Sequence, residues 1–218
     1  MGKSIAQALV AKGFRVVGCS RRQPDWAVQG YEHRDADISQ ERSVLNLLAH
    51  LRSNYGRLDI AINNAGIASM NHSLLVPAAT VDRVLGVNVT GTFLVCRESA
   101  KLMQKRKWGR IVNLTTIAVP MRIEGEAIYA ASKSAVETLT RVMAREFAGF
   151  GITVNAVGPS PVDTDLTRNI PEDRMRQLVK QLPIKRKGTP EDVINVIDFF
   201  IRPESGAITG QVIYLGGA

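Results

Sequence analysis

Cysteine is scarce in this chain of 218 residues, and long apolar runs are missing. The two cysteines, Cys19 and Cys96, are too few for a disulfide framework, which argues against a small secreted scaffold and favours a reducing compartment. No segment approaches the roughly 20 apolar residues that span a bilayer, and residues 1–6 lack the basic start and apolar core of a signal peptide. These absences predict a cytoplasmic protein without a membrane partner.

Acidic residues are the scarcer charge, with 20 against 28 basic ones and a net charge of +8. A positive balance attracts anionic partners such as nucleic acid, a phosphorylated cofactor or an acidic carrier protein. Aromatic residues make up only 6% of the chain, and they do not interleave with the basic runs at 101–110 and 185–187 as they would on a single-strand-binding surface. We therefore expect solvated helix ends there and no nucleic-acid partner. Salt-dependent retention on nucleic acid would favour the opposite reading.

Helical and strand-like patterns alternate along the chain, with no repeat and no linker between them. Strands are predicted at residues 14–19, 32–38, 58–63, 110–114, 152–157 and 211–215, and helices at 4–12, 40–54, 80–105, 126–150 and 191–201. Ser39 is predicted to be the N-cap of the second helix. The proline-rich segment 159–183 is predicted to be a mobile cover over a site. The pattern predicts one α/β domain over residues 1–218, with a parallel sheet and a ligand at the carboxyl ends of its strands.

Tyr129 and Lys133 are the first candidates for chemistry, because residues four apart on a helix share a face. A cation beside a phenol favours the phenolate and lowers its pKa toward the range of an acid/base catalyst. Thr116 follows the strand 110–114 and offers a hydroxyl for a substrate oxygen, while Asn88 offers an anchor for a water molecule. A tyrosine and a lysine at this spacing usually lie on a protein surface without a catalytic role, so their interpretation depends on the other motifs of the chain.

Five motifs supply that context, in a fixed order. They are Asn63-Asn64-Ala65-Gly66; Val87-Asn88-Val89; Tyr129-Ala130-Ala131-Ser132-Lys133; Gly151 to Val157 with Pro159 and Thr164; and Thr209-Gly210-Gln211 with Gly216-Gly217. Together they resemble the short-chain dehydrogenase/reductase family over the whole chain, and most of all its 3-oxoacyl-(acyl-carrier-protein) reductase-type members. The resemblance implies a Rossmann-like, doubly wound parallel sheet with helices on both faces. It also implies hydride transfer between NAD(P) and a carbonyl or alcohol substrate.

The same resemblance implies roles for individual residues. Tyr129 would be the acid/base catalyst, Lys133 would lower its pKa and bind the ribose, Thr116 would orient the carbonyl, and Asn88 would hold a relay water. The other residues expected to contact the cofactor are Gly2, Ser20, Arg21, Asp37, Ile38, Asn64, Ala65, Gly66, Pro159, Val162 and Thr164. No metal site is predicted.

The residues after the first strand predict the cofactor. Ser20-Arg21-Arg22 stands where an acidic residue would bind the ribose hydroxyls of NAD, and arginine accommodates a 2′-phosphate instead. We therefore expect NADP(H) rather than NAD(H), with a solvent-facing arginine as the alternative interpretation.

The chain departs from the family pattern at three places. It starts at the last glycine of the family's glycine-rich turn, so the first strand and most of that turn are missing, and we expect an upstream start or a truncated product. Thr116 replaces the usual serine. Ser160 follows Pro159 where the family has glycine, which predicts a slightly different nicotinamide loop.

Substrate and partners are less strongly indicated. Lys107 stands at one position where reductases of this type hold an acidic acyl-carrier protein, but Phe150 occupies the other. The carrier thus stays open beside a small ketone or alcohol. The family pairs the helices at 80–105 and 126–150 into homodimers or tetramers, which we expect here. The competing function is a truncated, non-catalytic scaffold that has lost nucleotide binding.

Overall fold

Strands and helices alternate along residues 1–168 and 170–218, the part of the chain that this computed structural model describes. The strands are β1 (Val16–Ser20), β2 (Tyr31–Asp35), β3 (Ile60–Asn63), β4 (Gly109–Leu114), β5 (Ile152–Gly158) and β6 (Val212–Tyr214). The α-helices are α1 (Gly2–Ala11), α2 (Glu41–Tyr55), α3 (Ala78–Leu85), α4 (Thr92–Met103), α5 (Ala118–Met121), α6 (Ala127–Ala148), α7 (Glu172–Gln181) and α8 (Pro190–Ile201). All of these strands pair in parallel, which confirms the predicted α/β class.

The strands form two sheets. One contains β1 and β2, and the other contains β3, β4, β5 and β6 in that order. Among the described residues, no strand lies between β1 and β3, and these two strands do not pair with each other. The sequence predicts a missing strand at this place, between the segments 14–19 and 58–63. Each of these two strands has one edge without a strand partner in the described part of the chain, and the missing strand stays a prediction.

Helices cover both faces of the four-stranded sheet, as predicted. Successive side chains of a strand point to opposite faces, so Val112 joins a cluster that includes Leu9 and Phe200 of α1 and α8. Its neighbour Ile111 joins a second cluster with Met103 and Met143 of α4 and α6. Every residue of β4 and β5 is buried, because apolar helices pack against the sheet from both sides.

The prediction of one helix over 80–105 is wrong in detail. The chain there forms α3, then a π-helical turn at Gly86–Gly91, then α4. A π-turn widens the helix locally and is typical of functional sites. This turn carries Asn88 at its centre.

Two further details of the helices differ from prediction. Gln40, and not Ser39, is the N-cap of α2, because the Ser39 hydroxyl donates a hydrogen bond to the Asp37 carboxylate at 2.7 Å. Within the segment 159–183, α7 forms a complete helix, so the cover has regular structure of its own. Its N-terminal turn carries Glu172 and Asp173, whose charges complement the helix dipole.

Candidate active site

A pocket of about 890 Å³ opens beyond the carboxyl ends of β4 and β5. Thr116 reaches it from the end of β4, and Tyr129 and Lys133 reach it from the first turns of α6. Residues from α7 and the preceding loop form the opposite wall, including Thr164, Leu166 and Arg174. The parallel sheet thus presents its strand ends to one cavity, where ligands of open α/β folds bind.

Lys133 is held by the sheet. Its ammonium group donates a hydrogen bond to the Leu114 carbonyl oxygen at 2.8 Å, and the residue is only 4% exposed. Burial disfavours the charged form, which lowers the pKa of Lys133 to about 8. The Lys133 amine can therefore both release and accept a proton near neutral pH.

Tyr129 lies one turn before Lys133 and is also buried. Burial raises the pKa of its phenol to about 12, the neighbouring Thr116 hydroxyl opposes that rise, and the negative charge of Glu126 adds to it. The sequence predicts a lowered pKa, whereas burial dominates in this structure. A neutral phenol is the form that can donate a proton to a substrate oxygen.

Thr116 and its neighbour Thr115 point in different directions, as the alternation of the strand predicts. Thr116 lines the pocket and its hydroxyl accepts a hydrogen bond from the Ala118 backbone at 3.2 Å. Thr115 also lies beside the pocket, but its hydroxyl donates to the Glu137 carboxylate at 2.7 Å. The threonine hydroxyl is therefore available at the position where the family usually has serine.

Asn88 connects three parts of the site. Its side chain accepts a hydrogen bond from the Ile67 backbone N–H and donates to the Ile67 carbonyl oxygen, both at 2.9 Å, and it donates to the Ser132 hydroxyl at 2.9 Å. Ser132 in turn donates to the Tyr129 carbonyl oxygen at 2.7 Å. Asn88 therefore fixes the loop after β3 against the helix that carries the tyrosine. Its role in holding a water molecule stays a prediction.

Most of the residues expected to contact a cofactor lie together in the pocket. Its lining includes Gly2, Asn64, Ala65, Gly66, Pro159, Val162 and Thr164, besides Thr116, Tyr129 and Lys133. A Cβ atom added to Gly66 would lie 3.2 Å from Lys133 Nζ and 3.3 Å from Asn88 Oδ1, so only glycine leaves this cradle open. The N-terminus of α1 enters the same pocket at Gly2, and a helix N-terminus favours an anion such as pyrophosphate. These residues fit the nicotinamide and phosphate portions of a dinucleotide.

Four predicted cofactor residues lie outside this pocket. Ser20 and Arg21 are exposed at the end of β1. The Asp37 carboxylate accepts hydrogen bonds from the Ser39 backbone at 3.0 Å and from its hydroxyl, and these bonds lower the pKa of Asp37. Ile38 is 7% exposed and packs against Gly91. Their contact with an adenosine moiety stays a prediction.

The residues considered for carrier binding lie far from the pocket. Lys107 and Phe150 precede the amino ends of β4 and β5, one strand length (roughly 20 Å) from the catalytic groups of the same chain.

Ser160 is buried after Pro159. Among the described residues, Lys107 and Arg122 are the non-glycine residues with a positive φ, so the backbone of Ser160 is not left-handed. Serine at this position therefore fits without a left-handed backbone.

Sequence reasoning missed three residues of the site. Ser132 lies between Tyr129 and Lys133 in the chain, and its spacing of three from the tyrosine could have indicated a contact on one helix face. Glu126 has the same spacing on the other side and lines the pocket. Arg174 comes from α7, and no local pattern could have placed it there.

Residues 1–217 match the family described as Enoyl-(Acyl carrier protein) reductase. The chain belongs to the short-chain dehydrogenase/reductase family. Curated relatives of this short-chain dehydrogenase/reductase include the 3-oxoacyl-[acyl-carrier-protein] reductase of Staphylococcus epidermidis, 31% identical over 227 residues that cover 100% of this chain and 93% of that protein. The Vibrio cholerae enzyme of the same name is 29% identical and 91% covered.

Solved structures support the same classification. Ligand-free aldohexose dehydrogenase from Thermoplasma acidophilum matches 99% of this chain and 88% of its own, with a TM-score of 0.90 and 27% identity. ElxO with NADP bound matches 98% of this chain and 92% of its own, also with a TM-score of 0.90 and 27% identity. The short-chain dehydrogenase/reductase fold predicted from the motifs is thereby confirmed. Among the described helices, none combines the length and the apolar character needed to cross a membrane.

Proposed function

We propose that this short-chain dehydrogenase/reductase transfers hydride between NADP(H) and a carbonyl or alcohol substrate. The observation that carries the proposal is the convergence of Tyr129, Lys133 and Thr116 on one pocket, where the buried amine and the buried phenol lie one helical turn apart. A complete set of these groups gives the pocket the chemistry of a carbonyl reductase.

The residues divide the work between binding and proton transfer. The nicotinamide supplies or accepts the hydride when it is bound. Tyr129 donates its phenol proton to the carbonyl oxygen in reduction and accepts it back in oxidation. Thr116 holds that oxygen with its hydroxyl, and Lys133 binds the ribose and replaces the proton of the tyrosine. Asn88 keeps the loop after β3 in contact with α6, and α1 presents its N-terminus to the phosphates.

NADP(H) is the cofactor that the charges favour. Arg21 and Arg22 follow β1 and are exposed, so they are free to receive the 2′-phosphate of an adenosine bound at this edge. Asp35 and Asp37 are nearby acids, but the Asp35 carboxylate accepts a hydrogen bond from the Gln23 side chain at 2.9 Å, and the Asp37 carboxylate is occupied by Ser39. ElxO, a structural relative, is described with NADP bound.

Replacement of the tyrosine tests the proposal. We expect Tyr129→Phe to lower kcat for NADPH-dependent reduction of simple ketones by about 10²–10⁴-fold, since the variant keeps the ring and loses the transferable proton. Absorbance of the reduced nicotinamide gives the rate. Tyr55→Phe is the matched control, because the Tyr55 hydroxyl bonds to Glu32 outside the pocket. Equal rates for the wild type and Tyr129→Phe would contradict the proposed mechanism.

The non-catalytic scaffold is the second candidate, and the two unpaired strand edges favour it. Titration with NADPH and NADH separates the candidates. Trp26 packs on Tyr31, with ring centroids 4.4 Å apart, beside the proposed adenosine site, so its fluorescence should respond to a bound nucleotide. Saturable binding that prefers NADPH supports the enzyme, whereas no binding to the folded chain supports the scaffold.

Partners and location belong to the same proposal. Phe93, Val142 and Phe150 are exposed apolar side chains on or beside α4 and α6, which supports a homodimer or tetramer formed through these helices. The acyl-carrier protein stays an alternative source of substrate because curated relatives carry the name of carrier-dependent reductases. We propose a cytoplasmic location from the cysteine content and the composition.

A further inference from the structure

Glu126 is an ionisable residue inside the pocket that the proposed mechanism does not use. It is only 8% exposed, lines the cavity, and lies one helical turn before Tyr129. Its negative charge contributes to the raised pKa of the Tyr129 phenol, and both side chains line the same pocket.

The carboxyl group of Glu126 has no hydrogen-bond partner within the described part of the chain. Burial raises its pKa, and the positive charge of Arg174 opposes that rise without forming an ion pair. The Arg174 guanidinium instead donates a hydrogen bond to the Glu124 carbonyl oxygen. Both carboxyl oxygens keep solvent-accessible surface inside the cavity, so a ligand bound there can supply the hydrogen-bond donor that the protein does not.

The charges around the pocket restrict the donor that Glu126 can receive. Arg83, Lys133 and Arg174 line the cavity, whereas Asp165 is the other acidic residue of the lining. A cationic substrate would be repelled by this excess of positive charge, and an anionic one would be repelled by Glu126 itself. A neutral hydroxyl group can donate to the carboxylate without either cost.

We propose that Glu126 is a specificity-determining residue that accepts a hydrogen bond from a hydroxyl group next to the reacting carbon, so that the substrates are α-hydroxy carbonyl compounds and the corresponding vicinal diols. The inference rests on the proposed carbonyl reductase function. It distinguishes this chain from a reductase of 3-oxoacyl thioesters, which carry no hydroxyl donor at that position.

Two probe ketones test the hydrogen bond directly. Hydroxyacetone and methoxyacetone both carry an electron-withdrawing oxygen beside the carbonyl, but only hydroxyacetone can donate a hydrogen bond. The measured quantity is the ratio of kcat/KM for hydroxyacetone to kcat/KM for methoxyacetone, with NADPH. We expect the wild-type ratio to be about 10 or more, which is the effect typical of a hydrogen bond to a charged group.

Variants assign the effect to this residue. We expect Glu126→Leu to bring the ratio close to one and Glu126→Gln, which keeps an acceptor oxygen, to give an intermediate ratio. Glu124→Gln is the matched control, because this nearby carboxyl group is exposed and does not line the pocket, and its ratio should equal that of the wild type.

The outcomes separate the inference from the function on which it rests. Reduction of both ketones with a wild-type ratio near one, or with a ratio that Glu126→Leu leaves unchanged, overturns the inference and leaves the reductase function standing. Reduction of neither ketone, nor of any simple ketone, overturns both. If Glu126→Leu folds poorly, the nearly isosteric Glu126→Gln decides: an intermediate ratio supports the inference, and a ratio equal to that of the wild type overturns it.

Discussion

The two sheets of this protein differ in how firmly the chain specifies them. In the four-stranded sheet, β4 and β5 are buried along their whole length and covered by helices on both faces. In the two-stranded sheet, every residue of β1 and β2 is at least partly exposed. The groups proposed for proton transfer lie on α6 and at the end of β4, against the first sheet, whereas residues proposed to bind the adenosine follow the strands of the second. The proposed proton-transfer groups therefore pack against the more deeply buried of the two sheets.

The pH dependence of stability should reveal the buried Lys133 amine, which α6 holds against the four-stranded sheet. The pKa of Lys133 is about 8 in the folded chain and about 10.5 when unfolded, so the unfolded chain binds more protons between these values. Stability must therefore rise with pH through this window. Relative to Lys133→Met, the wild type should gain about 2–3 kcal/mol in free energy of unfolding between about pH 7 and about pH 10.

Denaturant unfolding of both proteins across that pH range gives the measurement. The raised pKa of Tyr129 affects both proteins alike, so it cancels in the difference between them. A difference that stays constant with pH would show that the lysine is not desolvated as the structure places it.

One substitution made in each sheet should sharpen the contrast between them. Val112 of β4 is 0% exposed, whereas Val16 of β1 is partly exposed. Val112→Ala should lower the free energy of unfolding by about 2–3 kcal/mol, because it removes buried methyl groups and leaves a cavity. Val16→Ala should lower it by about 1 kcal/mol or less. Equal losses in chemical denaturation would mean that the two sheets are equally well packed.

The smallest predicted effect concerns the two-stranded sheet alone. Arg21→Ala should raise the KM for NADPH about tenfold, since a charge-assisted bond to the 2′-phosphate is lost. The KM for NADH and the thermal stability should change little, because Arg21 is exposed. Arg15→Ala, an exposed arginine at the other end of β1, is the matched control. An equal rise in KM for NADPH and NADH would show that Arg21 does not select between the two nucleotides.

The sequence predicts the architecture because the buried strands are short segments rich in apolar and β-branched residues. Tyr129 and Lys133 share a helix face by spacing alone, and their catalytic role stays a prediction. The pKa of Tyr129 could not be predicted, since it depends on how much water the folded pocket excludes. Glu126 and Arg174 were missed for a related reason: their proximity is set by how α7 packs over the pocket, which no short pattern encodes.

At the π-turn of Gly86–Gly91, a change that makes the helix more regular and more stable is expected to lower the activity. Deleting one residue would turn α3 and α4 into a single regular helix with ordinary backbone pairing, which is the more stable form of an isolated helix. The same deletion would rotate Asn88 away from Ile67 and release the loop that the pocket shares with Gly66. A search for stabilised versions of this protein would therefore select against its own active site at this turn, and the irregular helix is better understood as a trade-off that the fold maintains.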